Sequence, residues 1–336
     1  MRPISYARAA GIDEAIAAVS ADPGSEFLAG GTTEIDLLRL GVAQPDALVD
    51  INDLPLAALE ELSDGGLRIG ALARMTDVAR APSVVDRYPA ISQSLLLGAS
   101  EQLRNMASIG GNLCQRTRCA YFRDNISPCN KREPGSGCSA INGLNRGHAI
   151  LGGSEQCIAT HPSDLGVALV AFDAVVHSVG PNGTRSIPID DFYLMPGDTP
   201  QVEHPLEHGE LIVAVEVPGL PVARSSVYHK YRDRQSYEFA LVSVAAAMRV
   251  QRGSIVDMRL ALGGVGTKPW RARRAEERLM NASADADAFA SAADVELESA
   301  VVREHNAFKV ELTKRAIVRC LTEARGLAQA VNGGAA

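Results

Sequence analysis

The sequence predicts an α+β protein of two or three domains, and three observations lead to this prediction. First, 336 residues are more than one domain usually holds. Second, patterns for a strand, a helix and another strand follow one another near the N-terminus. Third, beyond Pro218-Gly219-Leu220-Pro221, which is typical of a domain boundary, strands come first and helices follow. Strands and helices grouped in this way are characteristic of α+β domains.

The N-terminal part is predicted to form a small β-α-β unit. Apolar residues at helical spacing predict a helix over residues 11–20. A strand over 26–29 then leads through Gly30-Gly31-Thr32-Thr33 into a helix over 34–40, which Gly41 ends. A strand over 47–51 completes the unit. A strand–glycine–helix turn can present backbone N–H groups to an anion, although a simple tight turn explains the same residues equally well.

A second pair of glycines repeats this arrangement. We expect a strand over 67–72, helices over 76–80 and 91–99, and then a loop that begins at Asn105 and contains Ser108-Ile109-Gly110-Gly111-Asn112. Two such loops can grip the pyrophosphate of a dinucleotide from both sides. Neither loop matches a Walker A motif or a Gly-x-Gly-x-x-Gly fingerprint.

The remaining elements are predicted from alternation, turns and apolar spacing. A hairpin is expected around Pro181-Asn182-Gly183, because Asn-Gly favours a tight turn between strands. Further strands are predicted over 211–217, 226–232, 240–250 and 255–262, and further helices over 273–280 and 308–327.

Composition excludes several classes of function. The formal charge of −7 argues against a nucleic-acid binder, which would present a basic face. No apolar run reaches the roughly 18–20 residues that span a bilayer. The N-terminal residues Met1–Tyr6 lack the apolar stretch of a signal peptide. We therefore expect a protein without an export signal of its own.

Five of the six cysteines lie between Cys114 and Cys157, in a stretch rich in proline, glycine and arginine. A chain this long is not a disulfide scaffold, so the clustering indicates metal ligation or redox chemistry. The spacing Cys119-x9-Cys129-x8-Cys138-x18-Cys157 lacks the close pairs typical of structural zinc. Four thiolates can hold a [4Fe–4S] cluster at wider spacings. Zinc, buried apolar cysteines and two disulfides remain as alternatives.

The chain resembles, almost end to end, the FAD-binding subunits of the molybdenum hydroxylases, the xanthine dehydrogenase family. The motifs that carry the resemblance are Leu28-Ala29-Gly30-Gly31-Thr32-Thr33, Ala107-Ser108-Ile109-Gly110-Gly111-Asn112-Leu113, Pro162-Ser163-Asp164 and Gly263-Gly264-Val265. The cysteine segment is similar to that of the aldehyde oxidoreductase branch. The matching stretches there are Gln115–Cys119, Pro128–Arg132, Pro134–Cys138 and Ser154–Cys157.

This resemblance implies the fold and its domains. Residues 1–222 would form a two-part FAD-binding domain of the vanillyl-alcohol-oxidase (PCMH) type. Residues 1–54 would be its β-α-β part, and residues 55–222 would be its second part, with a cluster-binding insertion at about 114–157. Residues 223–330 would form a smaller α+β domain of the CO-dehydrogenase flavoprotein C-terminal type.

The resemblance also implies the cofactor sites, FAD and one [4Fe–4S] cluster. The ligands of the cluster would be Cys119, Cys129, Cys138 and Cys157, and Cys114 would be a spare thiol. Asp164 would bind ribityl or ribose hydroxyls, and Glu210 and Lys230 would lie near the isoalloxazine. The full set of residues implied for FAD is Leu28, Ala29, Gly30, Gly31, Thr32, Thr33, Glu34, Ser108, Gly110, Gly111, Asn112, Thr160, Ser163, Asp164, Glu210 and Lys230.

Finally, the resemblance implies a heterotrimer. A large subunit with the molybdenum cofactor would oxidise an aldehyde, and a small subunit with two [2Fe–2S] clusters would pass electrons to the FAD of this chain, which would deliver them to an external acceptor. No catalytic residue is expected in this chain. It would be cytoplasmic, or periplasmic by export with a partner that carries a twin-arginine signal. The alternatives are a self-contained FAD-dependent oxidase or dehydrogenase, the medium subunit of a purine hydroxylase, and a cluster-bearing regulatory protein.

Overall fold

A computed structural model describes residues 3–333, which contain three sheets covered by helices. Met1 and Arg2, where the stretch considered for an export signal begins, lie outside the described residues. The prediction of an α+β fold is confirmed. No helix within residues 3–333 is both long and apolar enough to cross a membrane.

The first sheet is small and parallel. Its strands are β1 (Ser5–Arg8), β2 (Ser25–Leu28) and β3 (Ala47–Asp50), in the order β1-β3-β2. Helices α1 (Ile12–Ser20) and α2 (Glu34–Leu40) make the crossovers that parallel strands need. Ile16 and Val19 of α1 pack with Val49 of β3 in one apolar cluster. The predicted β-α-β unit is present, and Gly41 ends α2 with a left-handed φ of 72°.

The second sheet is antiparallel and has the order β4-β5-β8-β6-β7. Its strands are β4 (Leu59–Glu61), β5 (Leu67–Gly70), β6 (Val175–Gly180), β7 (Gly183–Pro188) and β8 (Leu211–Val217). The helices of this part are α3 (Met75–Arg80), α4 (Pro82–Arg87), α5 (Pro89–Leu97), α6 (Glu101–Met106), α7 (Ile109–Leu113), α8 (Ala120–Arg123), α9 (Asp164–Ala171) and α10 (Ile189–Phe192). Every residue of α9 is buried, which explains why its sequence is apolar all round.

The predicted loop that begins at Asn105 is wrong for most of its length, because only Ala107 and Ser108 separate two helices there. Asn105 lies in α6, and the glycine pair lies in α7. The Oγ of Ser108 accepts a hydrogen bond from the backbone N–H of Gly111 at 3.2 Å, which caps α7. A Cβ on Gly110 would come within 3.1 Å of Ala71, so close packing requires the glycine that suggested a loop.

The third sheet separates two cores. Its strands are β9 (Ser226–Tyr231), β10 (Val242–Gln251), β11 (Ser254–Gly263) and β12 (Trp270–Arg271), in the antiparallel order β12-β11-β10-β9. On β10, Val244 and Met248 pack with the C-terminal helices α11 (Arg273–Leu279), α12 (Ala286–Leu297) and α13 (Phe308–Gly333). Ala245 and Ala247 alternate with them and belong to the core of the second sheet. Small residues on this face allow the two layers to approach closely.

The cysteine segment between α7 and α9 is irregular apart from α8. Cys129 and Cys138 face each other across an antiparallel bridge. The C-terminal helix α13 holds the segment in place, because its fully buried Lys309 donates hydrogen bonds to the carbonyls of Gly147 and His148 at 2.9 and 3.0 Å. All six cysteines are free thiols, so the alternative of two disulfides is excluded.

Candidate functional site

A cleft of about 1020 Å³ lies where the first sheet, the second sheet and the loop after β9 meet. The turn after β2, the start of α7, the start of α9 and the loop before β8 all contribute to its wall. Twelve of the sixteen residues predicted to bind FAD line it: Ala29, Gly30, Gly31, Thr32, Thr33, Glu34, Ser108, Gly111, Asn112, Asp164, Glu210 and Lys230. The fold thus gathers residues that are as much as 200 positions apart in the sequence.

The other four predicted residues, Leu28, Gly110, Thr160 and Ser163, are not part of the cleft lining. Ser163 supports the wall from behind, since its Oγ donates to Oδ1 of Asn112 at 2.6 Å and accepts from the N–H of Gly166 at 2.8 Å. The carbonyl of Thr160 accepts from the hydroxyl of Thr117 at 3.1 Å, which links it to the cysteine segment. Ser163 therefore supports the cleft wall from outside, whereas Thr160 contacts the cysteine segment.

The turn at Gly30 and Gly31 requires glycine for two different reasons. A Cβ on Gly30 would lie 2.0 Å from the carbonyl oxygen of Met106, so no side chain fits where the turn meets the end of α6. Gly31 has a φ of 68°, a conformation that side chains disfavour. The contact brings the first glycine turn beside the link between α6 and α7, and both border the cleft, an arrangement suited to a long phosphate-bearing ligand.

A buried charged pair lies where α9 begins. Asp164 accepts hydrogen bonds from Nζ of Lys230 at 2.7 Å and from the hydroxyl of Tyr228 at 2.6 Å. The side chain of Lys230 is 1% exposed, and it also donates to the carbonyl of Leu97 at 3.1 Å. Burial raises the pKa of Asp164, and the ammonium of Lys230 opposes that rise. The ion pair holds the side chains of Asp164 and Lys230 in place at the wall of the cleft.

Two carboxyls, those of Glu26 and Glu34, also line the cleft and interact electrostatically. Burial, together with the charge of Glu26, raises the pKa of Glu34 to about 7, while Arg116 lowers it. Burial also raises the pKa of Glu26. Oε1 of Glu34 is buried without a hydrogen-bond partner in the protein. This orphaned oxygen is free to accept a hydrogen bond from a bound ligand, which fits the cofactor-binding role predicted for Glu34.

The carboxylate of Glu210 is already engaged by the protein. One oxygen accepts from the hydroxyl of Ser178 at 2.5 Å, and the other accepts from Arg185 and from the N–H of Glu207, both at 2.8 Å. Glu210 therefore shapes the loop that borders the cleft.

A second, smaller cavity lies beside the cleft, and four cysteines line it: Cys119, Cys129, Cys138 and Cys157. These are the four predicted cluster ligands. Burial raises the pKa of Cys119 to about 12 and raises that of Cys157 as well. Thiols of this kind stay protonated until a metal compensates the charge of the thiolate. We refer to these four residues as the cysteine cage.

The side chains of the cage are not arranged around a single metal ion. Within residues 3–333, no three His, Cys, Asp or Glu side chains are placed so that they could hold a single ion. Zinc would draw each sulfur to about 2.3 Å from the metal, whereas the sulfide and iron of a cluster keep the thiolates farther apart. Nε2 of His148 lies 3.2 Å from Sγ of Cys119, which makes it a hydrogen-bonding neighbour of the cage.

The other two cysteines lie apart from the cage. Cys114 lines the large cleft, where burial raises its pKa to about 12. Cys320 lies in the C-terminal core and is completely buried. The fold thus separates Cys114 and Cys320 from the four cysteines of the cage.

The structure also brings in residues that sequence reasoning did not single out. Glu203 forms ion pairs with Arg116 of the cleft and with Lys131 of the cage. Tyr237 and Phe239, from the loop after β9, border the cleft. The sequence contains no signal for these contacts, because each depends on how distant segments pack.

Comparison with known proteins identifies the family. A family model described as the FAD binding domain in molybdopterin dehydrogenase matches residues 2–220, and one described as the CO dehydrogenase flavoprotein C-terminal domain matches residues 226–324. These matches agree with the predicted fold class.

Relatives of known name cover nearly the whole chain. The aldehyde oxidoreductase FAD-binding subunit PaoB of Escherichia coli (strain K12) is 47% identical over 98% of this chain and 100% of that protein. The glyceraldehyde dehydrogenase medium chain of Sulfolobus acidocaldarius is 29% identical over 82% of this chain and 80% of that one. A solved carbon monoxide dehydrogenase from Hydrogenophaga pseudoflava superposes with a TM-score of 0.75 at 25% identity, covering 97% of this chain and 99% of that one. The chain therefore belongs to the FAD-binding subunits of the molybdenum hydroxylases and is an oxidoreductase subunit.

Proposed function

We propose that this chain is the electron-transfer subunit of a heterotrimeric, molybdenum-dependent aldehyde oxidoreductase, and that it binds FAD and one [4Fe–4S] cluster. The observation that carries the proposal is the position of the cysteine cage beside a cleft lined by both glycine-containing turns. The 47% identity to an aldehyde oxidoreductase FAD-binding subunit supports the choice of branch.

The residues of this chain would hold and orient FAD. The segments at residues 28–34 and 108–112 are suited to the pyrophosphate, since Gly30 and Gly31 have no side chain to obstruct it and Ser108 and Gly111 border the same cleft. Asp164 and Lys230 present a fixed charged pair to the flavin end of the cofactor. FAD, when bound, would accept electrons from the [2Fe–2S] clusters of a partner subunit and pass them to an external acceptor. The protein's contribution is to bind, position and electrostatically tune the cofactor.

The cysteine cage would hold the [4Fe–4S] cluster. Lys131 borders the cage, and its positive charge suits an anionic cluster with four thiolate ligands. The single-ion alternative, zinc, is disfavoured because the four cysteines lack the closely spaced pairs that are typical of structural zinc sites.

The remaining parts of the proposal follow from the family. A large subunit with the molybdenum cofactor would oxidise the aldehyde, and a small subunit would carry the [2Fe–2S] clusters. The domain division at residue 222, with the insertion at about 114–157, belongs to the same proposal. The complex would be cytoplasmic, or periplasmic by co-export with a partner.

Two other functions are weighed against this one. A self-contained oxidase needs a general base near the flavin, but Asp164 and Glu210 are both engaged in hydrogen bonds within the protein. Aldehyde turnover by the chain alone would favour that alternative. The second alternative, the medium subunit of a purine hydroxylase, is supported by weaker similarity. The chain is 28% identical to a protein of Escherichia coli (strain K12) named "Putative xanthine dehydrogenase FAD-binding subunit XdhB".

The cysteine cage is tested by two serine substitutions. We expect Cys129→Ser to lower the iron content and the yield of the purified chain, because ligation and folding are linked. Cys114→Ser is the matched control, since Cys114 lies in the same segment but outside the cage, and it should keep about four iron per chain. The readout is iron and acid-labile sulfide per chain. Full iron retention in Cys129→Ser would remove Cys129 from the ligand set.

A further inference from the structure

Glu203 lies between the cleft and the cysteine cage and is paired on both sides. Oε2 forms an ion pair with Nε of Arg116, and Oε1 accepts a hydrogen bond from Nζ of Lys131 at 3.0 Å. The side chains of Glu203 and Lys131 are 17% and 9% exposed, so the solvent screens this second pair only weakly. One carboxylate therefore fixes two cations that belong to different sites.

Each cation reaches one of the two sites. Arg116 lines the cleft, and its guanidinium lies 4.9 Å from the ring centre of Phe122, whose side chain borders the cage. Lys131 borders the cage next to Cys157.

We propose that Glu203 is a positioning residue that couples the electrostatics of the flavin cleft to those of the cysteine cage. This inference rests on the proposed function, because it needs both cofactors to be bound. The carboxylate sets how much positive charge each cation presents to its own site. When one cation is lost, the full negative charge of the carboxylate is left beside the other cation and offsets more of its positive field.

The coupling predicts shifts of reduction potential with a definite sign. Reduction adds negative charge, so positive charge nearby favours the reduced form and raises the potential. Glu203→Gln keeps the shape but removes the negative charge. Arg116→Gln removes one cation and leaves the carboxylate to Lys131 alone. The first variant should raise the potentials of both centres, and the second should lower both.

The experiment is an anaerobic redox titration of the purified full chain, with flavin absorbance and the electron paramagnetic resonance signal of the cluster as readouts. We expect each variant to change the reduction equilibrium of each centre about tenfold, which is about 59 mV for a one-electron couple. The matched control is Glu276→Gln. Glu276 is a half-buried carboxylate paired with Arg271 in the C-terminal domain, and its loss should shift neither potential.

The outcomes separate this inference from the proposed function. A wild-type chain without iron overturns the proposed cluster and the coupling together. If the wild-type chain contains iron, two results overturn the coupling and leave the proposed function standing. In one, Arg116→Gln shifts only the potential of the flavin; in the other, Glu276→Gln shifts both potentials as much as Glu203→Gln does. Because Arg116 also packs on Phe122 at the edge of the cage, the coupling is measured by a double-mutant cycle: Arg116→Gln should shift the potential of the cage less in the Glu203→Gln background than in the wild type, and equal shifts overturn the coupling. Should Glu203→Gln lose a cofactor, the shorter carboxylate of Glu203→Asp replaces it in the cycle.

Discussion

Lys230 neutralises a carboxylate that has almost no access to water. Asp164 is buried at the first residue of α9, and Lys230 comes from β9 on a different sheet. An isolated lysine on an alternating strand is usually exposed, so the sequence pattern alone favours a solvated side chain. The fold instead buries it against Asp164 and Leu97. The ammonium is stable there because it pairs with the buried carboxylate of Asp164.

Removal of Lys230 should therefore be costly. We expect Lys230→Met to lower the free energy of unfolding by about 3–5 kcal/mol, since it leaves the carboxylate of Asp164 buried without its cation. Arg80→Gln is the control. It breaks the exposed pair with Glu101, whose side chain is 57% exposed, and should cost less than about 1 kcal/mol. Urea denaturation measures both. The account is contradicted if adding Asp164→Asn to Lys230→Met recovers none of the loss.

Glu34 should make the stability of the FAD-free chain depend on pH. Burial raises the pKa of Glu34 from 4.5 to about 7 in the folded chain. The folded state therefore binds more protons than the unfolded state between these values, so stability falls as the pH rises from 4.5 to 7. Glu34→Gln should remove that fall, which amounts to at most about 3 kcal/mol.

The measurement is the urea midpoint of the FAD-free chain at several pH values between 4 and 8. Glu101→Gln is the control, because Glu101 is exposed, and this variant should keep the pH dependence of the wild type. An unchanged slope in Glu34→Gln would show that Glu34 does not hold the proton.

At the scale of elements, the contact between the first glycine turn and the end of α6 sets the width of the cleft. We expect Gly30→Ala to push this turn away from Met106, whose carbonyl oxygen leaves no room for a Cβ. Overpacking of this kind costs about 1–3 kcal/mol. Where that cost falls on the FAD-bound state, it corresponds to a loss of FAD affinity of about 5- to 150-fold.

The control for that substitution is Gly326→Ala. Gly326 lies inside α13 with open space around it, so alanine should leave FAD affinity unchanged and stabilise the helix by about 1 kcal/mol. Titration of the apoprotein with FAD, followed by flavin fluorescence, compares the two variants. Equal affinities would mean that the turn is more pliable than its packing indicates.

Elements with a regular apolar pattern were predictable, and the others were not. The strand Leu211–Val217 and the helix Glu34–Leu40 have the predicted bounds, because alternation and a terminal glycine mark them. The exposed edge strand Ser5–Arg8 and the alanine-rich helix Ala286–Leu297 were missed, since neither has a clear apolar period. The glycine pair of α7 was mistaken for a loop because close packing, and not chain reversal, requires it.

At the scale of the whole molecule, the two predicted cofactor sites come together only through folding. The motifs indicated which residues to group, but not that the cage would lie beside the cleft. Contacts such as Glu203 with Arg116 and Lys131 join positions 72–87 residues apart and leave no local pattern. The hydrogen bonds from Lys309 of α13 to the cysteine segment also leave no local pattern in the sequence.

The central claim is that one chain holds FAD and a [4Fe–4S] cluster side by side and leaves substrate oxidation to a partner. The most direct measurement is the FAD, iron and acid-labile sulfide content of the anaerobically purified chain, taken with its aldehyde turnover. The account predicts one FAD with about four iron and four sulfide per chain and no turnover. A chain that holds FAD with zinc or without metal, or that oxidises aldehydes alone, would contradict it.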